Sequence, residues 1–335
     1  MLTGLILSCS NDEQQEENLD TNKNIYLFKR NYENINNQVS LIKYSLDNST
    51  ETIIYNLGND FDENDSFASF GKINSIFHPS KNEIITLNTQ DFSLLRVNLT
   101  NGIETKQNLN AASNESYNGL MISNTEEIYL FKRRYENNIE QVSLVKYDID
   151  NSNETLIYEL GNDFDQNINL SSYDGINVIF HPSKNEIITL NTGDFTNTGV
   201  VSLLRVNLIN GTETKHILNV GNIVKYNGLI ISNTEEIYLF KRKYENNNYH
   251  SSLVKYDLDN STETLIYNLG NDFDQNSSFS SYSGINAVYN PSKNEIITLN
   301  TEDSSILRVS LTNGAESKHI LNVGNFENYN GLIIK

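Results

Sequence analysis

Short apolar runs alternate with clusters of Asn, Asp, Ser and Gly from residue 24 to the end of the chain. The runs are rich in β-branched and aromatic residues, and none has the 3.6-residue period of an amphipathic helix. This pattern predicts an all-β protein of short antiparallel strands. In the middle third of the chain the predicted strands are 117–122, 127–133, 142–148, 154–160, 176–181, 186–191, 202–208 and 212–218.

A repeated phrase, Tyr-Asn-Gly-Leu, begins at Tyr117, Tyr226 and Tyr329. After the first two copies comes a turn and then a run containing Tyr-Leu-Phe-Lys-Arg. The third copy lacks this follower, whereas the same run at residues 25–30 opens the first repeat without a leader. An open solenoid would need polar capping repeats at its ends. We therefore predict that strand 329–335 pairs with strand 25–30 and closes a ring.

Each long repeat is itself a doublet, because Glu186-Ile187 superposes on Glu127-Ile128 and places Asn177 on Asn118 without gaps. Three doublets give six units of four antiparallel strands, each of about 50 residues. Residues 24–335 are therefore predicted to form one domain, a six-bladed β-propeller.

Two segments resemble the WD40-like and YVTN-like propellers of bacteria. Lys-Tyr-Asp-Leu-Asp at 255–259, with residues 260–263 after it, resembles their third strand and following turn, and Pro-Ser-Lys-Asn-Glu-Ile at 182–187 stands where they have a Pro-Asp-Gly turn before the second strand. The resemblance covers residues 24 to 335 and implies the propeller fold. It leaves function open, because propellers include enzymes, scaffolds and ligand binders.

The only cysteine, Cys9, follows the apolar run Leu5-Ile6-Leu7-Ser8. This segment resembles a bacterial lipoprotein signal with its lipobox, in which the cysteine is lipidated and becomes the mature N-terminus. The resemblance implies a signal at 1–9, an acidic disordered tether at 10–23, and an outer-membrane lipoprotein of the bacterial cell envelope that is held on the membrane by its lipid. The alternative is a buried strand with a free thiol.

The charge balance narrows the choice of partners. With 43 acidic and 24 basic residues the net charge is -19, which repels phosphate backbones, so we do not expect a nucleic-acid partner.

Strand direction alternates within a blade, so the loops from the second to the third strand and from the fourth strand to the next blade lie at one end of the ring. We call this end the long-loop face. Loops on a rigid frame commonly carry binding residues, and we predict that this face binds a protein or glycan ligand. The alternative is a hydrolase or lyase with its site at the channel mouth. Each doublet places a Tyr-Glu pair on this face: Tyr32 and Glu33, Tyr135 and Glu136, and Tyr244 and Glu245.

One asparagine stands at the start of every predicted inner strand. Two interpretations are open: a polar ring that binds water, an ion or a sugar hydroxyl at the channel mouth, or hydrogen bonding to the backbone where each strand begins. The resemblance to propellers also includes the calcium-dependent lactonases, but an all-amide ring argues against their metal site. The six residues are Asn74, Asn118, Asn177, Asn227, Asn286 and Asn330.

Three long loops share the pattern Asp-x-Asp-x-Asn. Oxygen ligands at positions 1, 3 and 5 are how a short loop wraps Ca²⁺, so the loops are candidate calcium sites. The alternative is an Asx-turn above the intervening phenylalanine. The candidate ligands are Asp60, Asp62 and Asn64, then Asp163, Asp165 and Asn167, then Asp272, Asp274 and Asn276.

Arginine and histidine residues also recur. Arg96, Arg205 and Arg308 lie on predicted third strands, where they would either clamp an anion or pair with carboxylates of their own blade. The five histidines show no metal-ligand spacing, and we expect them on the surface or in turns.

Overall fold

The structure is a computed structural model. It describes residues 24–33, 37–63, 73–137, 139–165, 176–192, 201–218, 224–275 and 285–335. Several predictions fall outside these residues: those on Cys9, the signal and the tether, and those on Asn64, Asn167 and Asn276.

Six antiparallel sheets of four strands form the blades, which confirms the predicted all-β propeller. From the inner to the outer strand, blade 1 consists of β24 (Glu327–Ile334), β1 (Ile25–Asn31), β2 (Gln38–Ser45) and β3 (Thr50–Asn56). Blade 2 consists of β4 (Ser75–His78), β5 (Glu83–Asn88), β6 (Ser93–Asn98) and β7 (Glu104–Asn108). Blade 3 consists of β8 (Glu115–Ile122), β9 (Ile128–Glu136), β10 (Ile139–Asp148) and β11 (Asn153–Glu159).

Blades 4 to 6 repeat this order. Blade 4 consists of β12 (Val178–His181), β13 (Glu186–Asn191), β14 (Ser202–Asn207) and β15 (Glu213–Ile217). Blade 5 consists of β16 (Val224–Ile231), β17 (Ile237–Glu245), β18 (Asn248–Asp257) and β19 (Thr262–Asn268). Blade 6 consists of β20 (Ala287–Asn290), β21 (Glu295–Asn300), β22 (Ser305–Ser310) and β23 (Glu316–Ile320).

Three single-turn helices follow the odd-numbered blades: α1 (Asn59–Asp62), α2 (Asn162–Asp165) and α3 (Asn271–Asp274). No helix in the described part of the chain is long and apolar enough to cross a membrane.

Ring closure is made by the two ends of the described chain. β24 pairs antiparallel with β1, with Ile334 opposite Ile25 and Tyr329 opposite Lys29. The N–H of Lys335 extends the pairing by donating to the carbonyl of Asn24 at 3.0 Å. The prediction that residues 329–335 supply the missing strand of the first blade is confirmed.

The apolar core lies between neighbouring blades. Each blade is covered on both faces, so its second strand is apolar along its length instead of alternating: Ile84, Ile85 and Leu87 of β5 are all buried, although they point to opposite faces. Outer strands have only one neighbour and are mostly exposed, as in β3. This explains why the sequence shows continuous runs for middle strands and polar sequences for outer strands.

The backbone conformation explains why the repeated Tyr-Asn-Gly-Leu phrase contains a glycine. Gly331 has a φ of +62°, at a register shift between β24 and β1. A Cβ there would lie 2.8 Å from the ring of Phe28 and 2.7 Å from Ile73. Only glycine satisfies both the backbone angle and the close approach of the next strand.

Two kinds of boundary alternate around the ring. From an odd to an even blade, the link lies on the long-loop face, where Lys106 of β7 contacts Asp60 of α1 at 3.2 Å. From an even to an odd blade, it lies at the opposite end, where Lys81 contacts Asp150 at 2.6 Å. The same two contacts recur in the other doublets, as Lys215–Asp163, Lys318–Asp272, Lys184–Asp259 and Lys293–Asp47.

Candidate binding face

The long-loop face carries the most exposed aromatic side chains of the described residues. These are Tyr135 (50% exposed), Tyr244 (42%), Tyr249 (41%) and Phe326 (56%). Phe326 lies in the loop from β23 to β24, and the other three lie on hairpins. Elsewhere in the described part, exposed large apolar side chains are aliphatic, so this end of the ring differs chemically from its sides and from the opposite end.

Two hairpins project from this face. β9–β10 and β17–β18 run beyond the strands predicted from apolar runs, because polar residues pair across the hairpin: Tyr135 lies opposite Glu140, and Tyr244 lies opposite Tyr249. In blade 5 the turn residues Asn246 and Asn247 have φ values of +52° and +63°. Two consecutive residues with positive φ are typical of a type I′ turn, which matches the twist of its strands.

The blade 5 hairpin packs two aromatic rings against each other and one of them against a cation. The rings of Tyr244 and Tyr249 are 4.8 Å apart at 53°. The guanidinium of Arg242 lies 3.8 Å from the centre of the Tyr249 ring. Lys243 and Glu245 form an ion pair at 2.9 Å on the opposite face of the hairpin, because side chains alternate along β17.

The other odd blades differ at this position. In blade 3 the ion partner of Arg133 is Glu140, and Arg134 pairs with Glu136 at 2.5 Å. In blade 1 the guanidinium of Arg30 lies 5.2 Å from the centre of the half-buried Tyr32 ring.

The Tyr-Glu pair of blade 1, Tyr32 and Glu33, also lies on the long-loop face. The N–H of Tyr32 donates to the carbonyl of Phe326 at 2.7 Å, and Glu33 is exposed. All three Tyr-Glu pairs therefore lie on the long-loop face, but among the described residues only blade 5 presents two adjacent exposed rings.

The six asparagines lie on or next to the inner strands and are buried, each 4% exposed or less. In the even blades the asparagine directly precedes the inner strand, whereas in the odd blades it is the fourth residue of β8, β16 or β24. They form amide–amide hydrogen bonds between adjacent blades: Asn74 donates to Asn118 at 2.7 Å, Asn177 to Asn227 at 2.7 Å, and Asn286 to Asn330 at 3.0 Å. The amide oxygens of Asn118, Asn227 and Asn330 also accept the N–H of the following glycine at 2.8 Å.

This arrangement agrees with the interpretation that the asparagines hydrogen-bond to the backbone, but in the odd blades they do so inside the inner strand and not at its start. It adds a function that sequence reasoning missed, since each amide pair joins two blades. Ligand binding by these amides stays a prediction.

The aspartates of the three loops have two separate environments. The second aspartate accepts a hydrogen bond from the N–H of a third strand: Asp62 from Val39 at 2.6 Å, Asp165 from Val142 at 2.7 Å, and Asp274 from Ser251 at 2.5 Å. The first aspartate pairs with a lysine of the next blade. The intervening Phe61, Phe164 and Phe273 are buried, as that alternative expected. The Asx-turn itself is corrected, because each segment is a single helical turn whose carboxylates bond to a neighbouring strand and to a lysine instead of to their own backbone.

A glutamate on the following outer strand completes each link. Both carboxylate oxygens of Glu213 accept the N–H of Gly161, at 2.8 and 3.0 Å. Burial raises the pKa of Glu213 and of Asp165, while the hydrogen bonds from Gly161 and Val142 oppose this effect. In the described residues, no group of three or more His, Cys, Asp or Glu side chains could hold a metal ion. Calcium binding by the loops stays a prediction, and it concerns carboxylates that already have partners.

Two histidines correct the expectation that all five lie on the surface or in turns. His78 and His181 end the inner strands β4 and β12 and are only 4% and 3% exposed. Nδ1 of each lies 3.1 Å from a carboxylate oxygen, of Glu126 and Glu235 respectively. Burial lowers the pKa of both imidazoles, and the adjacent carboxylates oppose this. The sequence signal was their position, since each directly precedes the proline of a tight turn.

The third-strand arginines pair with carboxylates of their own blade. Arg96 contacts Glu83 at 2.6 Å, Arg205 contacts Glu186 at 2.5 Å, and Arg308 contacts Glu295 at 2.7 Å. This confirms the second of the two interpretations.

Comparison with known proteins supports the class of fold. No family model matches the chain, and no curated protein sequence matches it. Among solved structures, it is similar to TolB from Acinetobacter baumannii, with a TM-score of 0.58 and 12% identity over 93% of this chain and 66% of that chain.

Two further similarities are to a chain of a nidogen/laminin complex and to an oligogalacturonate lyase in complex with manganese. The first has a TM-score of 0.54 and 10% identity over 93% of this chain and 98% of the other. The second has a TM-score of 0.50 and 9% identity over 88% and 85%. At these identities the similarity is one of fold. The protein is a six-bladed β-propeller.

Proposed function

We propose that the protein binds a protein or glycan partner through its long-loop face. The observation that carries this proposal is the concentration of exposed aromatic side chains, Tyr135, Tyr244, Tyr249 and Phe326, at one end of the ring. Tyrosine offers a large contact area and loses little conformational entropy on binding. An exposed aromatic side chain forgoes the free energy of burial, so several on one face indicate a surface that is covered on binding.

The sheets that support these side chains are rigid, which favours binding. Each of the two hairpins continues a sheet whose other strands are packed between blades, so its exposed end is held by a rigid base. A preordered surface avoids part of the entropy cost of association.

The alternative is a hydrolase or lyase at the channel mouth. The similarity to a lyase chain agrees with this alternative, as the similarity to a chain from a nidogen/laminin complex agrees with partner binding. The buried amides of the six asparagines are hydrogen-bonded to each other, whereas general acid–base catalysis needs an acid or base within reach of substrate. We therefore favour binding.

For location we propose a lipid anchor at Cys9 that holds the propeller on the outer membrane of a bacterial cell envelope. The support is the apolar run that ends at this cysteine, followed by a polar, acidic segment at 10–23. The acidic segment would act as a spacer between membrane and propeller.

The binding proposal is tested by comparing two sets of substitutions at opposite ends of the ring. The test variant is Tyr135→Ser/Tyr244→Ser/Tyr249→Ser/Phe326→Ser, and the control is Ile103→Ser/Ile209→Ser, which removes exposed aliphatic side chains in tight turns at the other end. Envelope extracts and a glycan array are probed with wild type and both variants. We expect capture by wild type and by the control, and loss in the test variant. Equal capture by all three would disprove the proposal.

A further inference from the structure

The blade 5 hairpin carries a feature that no other hairpin in the described part of the chain has, an aromatic platform formed by Tyr244 and Tyr249. The two residues lie directly opposite each other on β17 and β18, so their side chains leave the sheet on the same face. Their ring centres are 4.8 Å apart, and each side chain is about two-fifths exposed. Together they form a continuous aromatic surface that faces solvent.

Contacts from below hold this surface in place. Arg242 stacks on the inner side of Tyr249, 3.8 Å from the ring centre, and is itself only 5% exposed. Arg242 is anchored through a hydrogen bond of 2.5 Å from its guanidinium to the carbonyl of Asp274. The platform is therefore ordered before any ligand arrives, so its binding would cost little ordering entropy.

The equivalent positions show that the platform is particular to blade 5. Where blade 5 has Tyr249, blade 3 has Glu140 and blade 1 has Asn37. Glu140 pairs with Arg133, the counterpart of Arg242, so in blade 3 the arginine contacts a carboxylate instead of a ring. Within a chain of closely similar repeats, this single difference converts an ion pair into an aromatic stack.

The area of the platform favours a small ligand surface. A fully exposed aromatic side chain presents about 150–250 Å², so the two rings offer roughly 200 Å² between them. A stable protein–protein interface buries about 800 Å² on each partner. Its neighbours in the hairpin are polar: Lys243, Glu245, Asn246, Asn247, Asn248 and His250.

Flat aromatic rings with polar groups at their edge match the chemistry of a sugar. The C–H bonds of a pyranose ring form an apolar face that packs on an aromatic ring, and the hydroxyl groups around its edge need hydrogen-bond donors and acceptors. The turn residues Asn246 and Asn247, which follow Tyr244 by two and three positions, carry amides that supply both kinds of group. The net charge of -19 disfavours acidic polysaccharides.

We propose that the blade 5 platform binds a neutral glycan by stacking one or two pyranose rings on Tyr249 and Tyr244. This inference rests on the proposed function and narrows it to one hairpin and one class of ligand.

The test uses isothermal titration calorimetry on the purified chain. The probes are neutral hexasaccharides of glucose (β-1,4 and α-1,4), mannose, xylose and N-acetylglucosamine, with a hyaluronan hexasaccharide as the acidic comparison. Wild type is compared with Tyr249→Glu, which introduces the blade 3 residue, and with the control Ile209→Ser at the opposite end. We expect at least one neutral probe to bind wild type and the control equally. Tyr249→Glu should weaken it about tenfold or more, since a lost aromatic contact of about 1.4 kcal/mol corresponds to that factor.

The outcomes separate this inference from the proposal on which it rests. If no neutral probe binds, or if Tyr249→Glu binds as tightly as wild type, the inference is wrong. If in that case the extract experiment still shows a partner lost in the four-site variant, the long-loop face binds a protein and the proposed function stands. If neither experiment shows binding at this face, both are wrong. Tighter binding of the hyaluronan probe than of every neutral probe would also overturn the inference.

Discussion

Nδ1 of His181 lies 3.1 Å from Oε2 of Glu235, across the boundary between blades 4 and 5 at the end opposite the long-loop face. His78 and Glu126 repeat this contact between blades 2 and 3. At the third such boundary the position is occupied by Asn290, which instead donates to Glu295 of its own blade at 2.9 Å. Asn290 thus shows that an uncharged residue can occupy this position in the fold.

The first prediction concerns pH. Both imidazoles have a pKa lowered by burial from the ordinary value of 6.5. Below pH 6.5 the unfolded chain therefore binds more protons at these sites than the folded chain, and stability is lost as the pH falls through this value towards the folded pKa. We expect His78→Asn/His181→Asn to flatten the fall in melting temperature between pH 7.5 and 5. Parallel curves for wild type and variant would show that these histidines do not contribute.

The second prediction concerns ring closure. Deleting residues 329–335 removes most of β24 and leaves the apolar strand β1 with an unpaired edge. Such edges promote association between chains, so the truncated protein should aggregate in size-exclusion chromatography with light scattering. Deleting Lys335 alone, beyond the end of β24, should leave a monomeric propeller. A truncated protein that stays monomeric with an unchanged melting curve would contradict the closure.

The third prediction separates the two aspartates of a loop. Asp165→Ala removes the acceptor for the N–H of Val142 and should lower the free energy of unfolding by about 1–3 kcal/mol. Asp163→Ala breaks a half-exposed pair with Lys215 and should cost less than about 1 kcal/mol. Urea denaturation in EDTA measures both. Equal costs would mean that the loop is not held in the way its hydrogen bonds indicate.

The same variants test calcium binding. If the loops bind Ca²⁺, millimolar calcium should raise the melting temperature of wild type, because a ligand that binds only the folded state stabilises it. The rise should be smaller in Asp163→Ala/Asp165→Ala. Calorimetric titration without heat, and a melting temperature unchanged by calcium, would show that these loops serve only to join blades.

The fourth prediction is a gain of binding. Glu140→Tyr should release Arg133 from its ion pair and place a second ring opposite Tyr135, so that blade 3 acquires the arrangement found in blade 5. The neutral glycan that binds wild type should then bind with a stoichiometry near two, while stability changes by less than about 1 kcal/mol. A folded variant that still binds one glycan would show that the paired rings are insufficient.

The fifth prediction concerns location. Cys9→Ser should release the protein from membranes, because a lipid anchor needs the thiol, and stable anchoring takes more than one acyl chain. Fractionation of cells and mass spectrometry of the N-terminal peptide measure this. Wild-type protein that is recovered in the soluble fraction with an intact, unmodified N-terminus would disprove the anchor.

The ring could be predicted from the sequence because its evidence is repetition. The split unit at 25–30 and 329–335 specified closure, and the doublet alignment specified the number of blades. Contacts across blade boundaries could not be predicted in this way. The Asn74–Asn118 bond and the burial of His181 depend on how neighbouring inner strands approach, which the pattern within one strand does not encode.

Half of the platform can be predicted from the sequence for a related reason. Tyr244 belongs to the repeated Tyr-Glu pair, whereas Tyr249 stands where the other odd blades have Asn37 and Glu140. A pattern shared by the repeats does not include the position at which they differ. Pairing across the hairpin then brings the shared residue and the unshared residue together.

The alternation of blade boundaries restricts how such a protein could change in size during evolution. Asp163 meets Lys215 because an even blade follows an odd one, and at the equivalent position of an odd blade the residue is the exposed Leu156. Losing an even blade would bring two odd blades side by side, set an aspartate against a leucine, and leave both types of link without a counterpart at that boundary. Gain or loss of blades in pairs therefore preserves both kinds of boundary contact. A ring with an odd number of blades would need new contacts at one boundary.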